Sequence, residues 1–96
     1  MNLVVRPAAA TDLEEAFLWY EGQRVGLGGE FLDAVTQVFE SVLETPRRYQ
    51  VVHRDSRRAH VRRFPYSVFY RIVGEDLLVL ACFHGSRNPR RWEGRR

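Results

Sequence analysis

The apolar residues of this chain change their spacing once, and the change falls at Pro46. Before it they recur every three to four residues, the period of a helix with one buried stripe. Beyond it they alternate or run together in short β-branched and aromatic stretches, the pattern of strands. Helices and strands segregated in this way do not interleave into a parallel α/β sheet. They predict an α+β fold, with a helical layer packed on a sheet that is mainly antiparallel. The 96 residues are room for one domain, taken as residues 1–96, and 45% of them are apolar, enough to build a core without disulfides or metal.

Residues 2–6 read as a first strand that ends at Pro7. Thr11 with Glu14 three positions later has the form of a capping box, so the first helix is expected to open at Thr11. Asp12, Glu14 and Glu15 would then crowd its first turn, where the helix dipole favours acids. Leu13, Ala16, Phe17 and Tyr20 should face the core. Gly26, Gly28 and Gly29 are expected to form a flexible corner. A second helix is placed over residues 30–43, with Phe31, Val35, Val38, Phe39 and Val42 as its stripe and Pro46 as its stop. The two form an antiparallel helical hairpin.

The second half reads as strands over residues 49–53, 59–64, 66–73 and 77–84, with turns at 54–58 and 74–76. Within 66–73, Val68, Tyr70 and Ile72 share one face and Phe69, Arg71 and Val73 the other. Both faces are largely apolar, which suits a central strand. Residues 85–96 read as a polar tail carrying Pro89 and Trp92. The hairpin should cover one face of the sheet, and the other face, with the tail, should carry the arginines.

Charge follows the same division. All 15 basic residues are arginine. Residues 1–46 hold two arginines and eight acids, a net −6, whereas residues 47–96 hold thirteen arginines and four acids, a net +9. A genome rich in G and C explains arginine in place of lysine but not this segregation, which points to a face that meets an anion or an acidic partner. The single cysteine, Cys82, lies in an apolar run and reads as a core residue in a reducing, cytoplasmic setting. No signal peptide or membrane-length apolar stretch is evident. One cysteine and three scattered histidines give no metal spacing, and the glycines of the corner lack the order of a phosphate-binding loop. No metal or cofactor is expected.

Several ordered pieces carry a resemblance. They are Val5-Arg6-Pro7 with Ala10, Asp12 and Leu13; Thr45-Pro46; Val61-Arg62-Arg63-Phe64-Pro65-Tyr66; Val68-Phe69-Tyr70-Arg71-Ile72; Leu78-Val79-Leu80; and His84-Gly85-Ser86-Arg87-Asn88-Pro89 with Trp92. Together they resemble the ParE/RelE superfamily of toxins from type II toxin–antitoxin pairs, over nearly the whole length. The resemblance implies an N-terminal strand and an α-helical hairpin packed on an antiparallel sheet. It also implies a cognate antitoxin as partner in a hetero-oligomer. Two activities come with it: ParE-like members inhibit DNA gyrase without established chemistry, and RelE-like members cleave mRNA on the ribosome.

Cleavage of RNA needs a base for the 2′-hydroxyl, an acid for the leaving oxygen and cations for the phosphate. The candidates are His60, Arg62, Arg71, His84 and Arg87. RelE-like members commonly place an arginine directly after the Tyr66 position, where this chain has Ser67. They often have a proton-transferring tyrosine or histidine near the end of the tail, where this chain has Trp92. The cationic part survives and the proton-transfer part is incomplete, which favours gyrase inhibition over mRNA cleavage, with a plain nucleic-acid-binding module ranked last. Arg62, Arg63, Arg71, Arg87, Arg90, Arg91 and Trp92 are the candidates for contact with target or antitoxin. An amphipathic, acid-bearing antitoxin segment is expected across the hairpin and the sheet edge, its carboxylates reaching Arg62, Arg71 or Arg87. Arg71 could equally serve only as a structural ion-pair partner, and His53, beside a turn, is expected to be solvated.

Overall fold

A proline, and not the Thr11 box, starts the first helix. In the computed structural model, which describes residues 1–85 and 90–96, strand β1 (Asn2–Val5) runs directly into helix α1 (Pro7–Gln23). Arg6 is extended, as a residue before proline prefers. Pro7 supplies a helical φ and has no N–H to leave unpaired in the first turn. Thr11 therefore lies inside the helix, where its hydroxyl donates to the Pro7 carbonyl at 3.2 Å. Asp12, Glu14 and Glu15 fall in the second and third turns, not the first.

The glycine corner is tight rather than loose. Helix α2 (Leu27–Glu44) begins three residues before the expected position. Gly26 takes φ +93°, and the Glu21 carboxylate accepts from the N–H groups of Gly26 (2.9 Å) and Gly28 (3.0 Å). A Cβ on Gly28 would lie 2.7 Å from the Phe17 ring and 2.8 Å from the Phe17 carbonyl oxygen, so only glycine lets the helices approach this closely.

Four further strands follow: β2 (Val51–His53), β3 (Ser56–His60), β4 (Tyr66–Val73) and β5 (Asp76–His84). The sheet order is β1-β5-β4-β3-β2, with β1 parallel to β5 and every other pair antiparallel. The expected turn over 54–58 shrinks to Arg54 and Asp55, with Arg54 at φ +53°. The strand expected over 59–64 ends at His60. Arg63 takes φ +73°, and Pro65 has no N–H for a ladder, so residues 61–65 close a hairpin with the buried Val61 and Phe64 turned inward.

One extra residue shapes the sheet. Phe69 faces Ala81 and Tyr70 faces Val79, so Leu80 is a bulge in β5. The bulge reverses the side-chain alternation of that strand. Leu77, Val79 and Cys82 enter the main core, and Ala81 and Phe83 enter a second cluster on the opposite face. The main core unites Ala9, Ala16 and Tyr20 of α1 and Phe31, Val35, Val38 and Val42 of α2 with Ala59, Val68 and Tyr70 of the sheet. Tyr20, Phe31, Phe64 and Tyr66 form its aromatic end, with ring centroids 5.0 to 6.0 Å apart.

The tail is not simply polar. Its described part contains a short helix, α3 (Arg90–Glu93), whose Trp92 is buried and stacks on Phe69 with centroids 4.2 Å apart. Trp92 thereby caps the second cluster on the face away from the hairpin. Among the described residues, no helix is long and apolar enough to cross a membrane.

Candidate partner-binding surfaces

The bulge and the shortness of β1 leave the far part of β5 without a strand on the side away from β4. The β1 pairing ends with Val5 opposite Val79, and the Arg6 N–H donates to the Val79 carbonyl at 3.0 Å. Beyond that point side chains continue the ladder. Asp12 Oδ2 accepts from the Cys82 N–H at 3.1 Å, and Arg95 Nη1 donates to the Leu80 carbonyl at 3.1 Å and to Asp12 Oδ2 at 2.6 Å. Arg95 also lies over the Phe83 ring, 5.0 Å from its centroid. This clasp ties α1, the bulge and the chain end together.

The same chain end is fastened at the β2–β3 turn. Arg96 donates to Asp55 at 3.2 Å, and Arg71 donates to the same carboxylate at 3.1 and 3.3 Å. The Arg71 hydrogen bonds hold the Asp55 carboxyl below the usual range, with the Arg71 and Arg96 charges adding to the effect. Glu93 lies 3.6 Å from His53, whose ring stands edge-on to Trp92. His53 is therefore half-buried against α3, not solvated as expected. Arg71 is paired as the structural alternative allowed, though with a turn acid from its own half of the chain and not with one from the helices.

The two histidine candidates for proton transfer are on opposite sides of the sheet. His60 faces Ser67, which faces Phe83, and all three project to the α3 side. His84 faces Tyr66, with ring centroids 5.4 Å apart, on the hairpin side. Beside Ser67 a depression of about 200 Å³ is lined by Arg58, Phe69, Phe83, Trp92 and Glu93, and His84 at the end of β5 also borders it. Arg62 and Arg63 project from the 61–65 hairpin, and Arg63 is bound at 3.0 Å to Glu30, which also takes Arg24 at 3.0 Å. Arg90 and Arg91 are exposed on α3. Arg87 lies outside the described residues. Cys82 is buried, and desolvation pushes its thiol up to about 12, so it stays protonated and unreactive at neutral pH.

On the hairpin side a groove of about 610 Å³ opens between α1 and the ends of β4 and β5. Asp12, Glu15, Ala16 and Trp19 form its α1 wall, at the three- and four-residue spacing that puts them on one helix face. Pro65, Tyr66 and residues 82–84 form the other wall, and Tyr20 lies between. Trp19 is 59% exposed there. No sequence pattern marks the groove, the bulge or the Asp12–Arg95 clasp. The clasp joins residues 83 positions apart, and no local pattern marks such a pair.

Residues 3–89 match the family model described as ParE toxin of the type II toxin–antitoxin system parDE. Toxin ParE2 of Mycobacterium tuberculosis, found in two strains, is 33% identical over 92 residues, covering 92% of this chain and 85% of that protein. A solved structure titled as a chromosomal ParDE TA system from P. aeruginosa superposes with a TM-score of 0.67 at 21% identity, covering 88% of this chain and 95% of that one. The fold of that structure is the fold described above. The chain therefore belongs to the ParE family of type II toxins.

Proposed function

We propose that this protein arrests growth by binding DNA gyrase in the bacterial cytoplasm, without chemistry of its own, and that a cognate antitoxin neutralises it in a hetero-oligomer. The observation that carries the absence of RNA chemistry is the placement of His60 and His84 on opposite faces of the sheet. A general base and a general acid serving one phosphate must both come within hydrogen-bond reach of it. Ser67 occupies the open-face position beside His60, and Arg71 is committed to Asp55. The exposed arginines at 58, 62, 90 and 91 fit a surface that holds a macromolecule by charge and shape.

Two assays run side by side test the reading. Purified protein is expected to inhibit gyrase supercoiling and to leave ribosome-bound mRNA intact. Expression alone should stop growth, with relief when the antitoxin is co-expressed. Codon-phased mRNA cuts that vanish in His60→Ala or His84→Ala would make the protein an endonuclease. Binding to nucleic acid without toxicity would make it a plain binding module.

A further inference from the structure

The groove between α1 and the end of β5 differs in charge from the rest of the protein. Among the described residues its lining includes two carboxylates, Asp12 and Glu15, and no arginine, in a chain with 15 arginines and a net charge of +3. Asp12 is engaged with Arg95 and the Cys82 N–H. Glu15 is exposed, and one helical turn along the same face stands the exposed ring of Trp19. Tyr20 and Tyr66 add aromatic surface below. We propose that this groove receives a segment of the antitoxin through an arginine or lysine flanked by apolar residues, the cation lying on the Trp19 ring and pairing with Glu15.

The alternative occupant of this groove, an acidic segment, would bring its carboxylates against the exposed Glu15. A cation meets the opposite situation. A guanidinium or ammonium over an indole face is drawn by the ring quadrupole, and a carboxylate one turn away completes its coordination. The volume of about 610 Å³ holds more than one side chain, so apolar neighbours of the cation fill the space along Ala16, Tyr20 and Pro65. The acid-bearing segment expected from the sequence is thereby revised at this place: the partner presents a positive charge here, whatever acids it presents to the arginines elsewhere.

The inference rests on the reading of the chain as an antitoxin-bound toxin, and the test separates the two. Titration calorimetry is run with the antitoxin encoded beside this chain, against the full-length wild type, Glu15→Lys, Trp19→Ala and, as a control at the far β4–β5 hairpin, Val73→Ala. Thermal unfolding confirms that each variant keeps the wild-type midpoint within a few degrees. Glu15→Lys and Trp19→Ala are each expected to weaken binding tenfold or more, and Val73→Ala less than twofold. Replacing one arginine or lysine of the antitoxin by glutamate should then restore binding to Glu15→Lys while weakening binding to the wild type. Wild-type affinity in both groove variants overturns the groove assignment and leaves the toxin reading standing. No binding of the antitoxin to the wild-type chain overturns the toxin reading itself.

Discussion

Tyr70 shows how a single polar atom fixes the relation between the layers. Its ring is fully buried under the hairpin, and its hydroxyl donates to the Pro46 carbonyl at 2.6 Å, just past the end of α2. Burial pushes the phenol up to about 12 from an ordinary value of 10, with the Arg57 charge opposing and Tyr49 adding slightly. Because the folded value is the higher one, the hydroxyl's contribution is complete below pH 10 and is lost as pH rises towards 12. The loss amounts to roughly 2–3 kcal/mol. Tyr70→Phe is expected to cost ~1–2 kcal/mol at neutral pH by orphaning the carbonyl, and to flatten the fall in stability above pH 10. Urea unfolding at pH 7, 9.5 and 11 checks this, and an alkaline slope identical in wild type and variant would sink the assignment. That Tyr70 shares a face with Val68 and Ile72 was legible from alternation in 66–73, because the period of a long strand is robust, but which layer that face meets was not. Its partner was not, because a carbonyl carries no sequence signal.

Among the elements, those set by periodicity were legible and those set by competition between signals were not. β4 occupies residues 66–73 as expected, and the stripe of α2 is buried as expected except for Phe39, which is half-buried. The start of α1 was misplaced because two helix-start signals stood four residues apart, and a proline at the first position dominates a threonine whose hydroxyl can bond back into the helix. The strand expected to 64 was cut short by a left-handed Arg63 that no residue preference announces. The tail was read as polar because its arginines outnumber Trp92, yet one buried indole and two arginine anchors decide its course. The Asp12–Arg95 clasp gives that element a measurable weight. The Asp12 side chain is only 9% exposed, so Arg95→Ala leaves its charge with the Cys82 N–H as the remaining partner and strips the Leu80 carbonyl. A loss of ~2–4 kcal/mol is expected. Asp12→Asn keeps an acceptor for the Cys82 N–H and should cost less, and the double variant should cost less than the sum. Strict additivity across the cycle, measured by chemical denaturation, would show that the contact contributes nothing.

At the scale of the whole molecule, the two charge-segregated halves of the sequence do not become two separate faces. Glu30 of α2 draws in Arg63, and Asp12 of α1 draws in Arg95, so acids of the first half lock down arginines of the second. The exposed charge is smaller and better defined than the net charges of the halves suggest: Arg58 and Arg91 on the α3 side, Arg62 at the 61–65 hairpin, and Glu15 in the aromatic groove beside α1. The general fold was legible because both layers leave periodic marks. The groove was not, because it exists only where the first strand stops short of the last. A further consequence follows from the parallel pairing of β1 with β5, in which Asn2 lies opposite Asp76 and Val5 opposite Val79. Two strands far apart in sequence thus lie side by side, and the closing of so long a loop comes late in folding. A chain ending at Glu75 lacks the seat of β1, one flank of β4, Leu77, Val79 and Cys82 of the main core and all the buried residues of the second cluster. It is expected to show no cooperative unfolding transition by circular dichroism, while the full chain shows one. Without β5 the chain would have neither the groove beside α1 nor a place for β1 in the sheet.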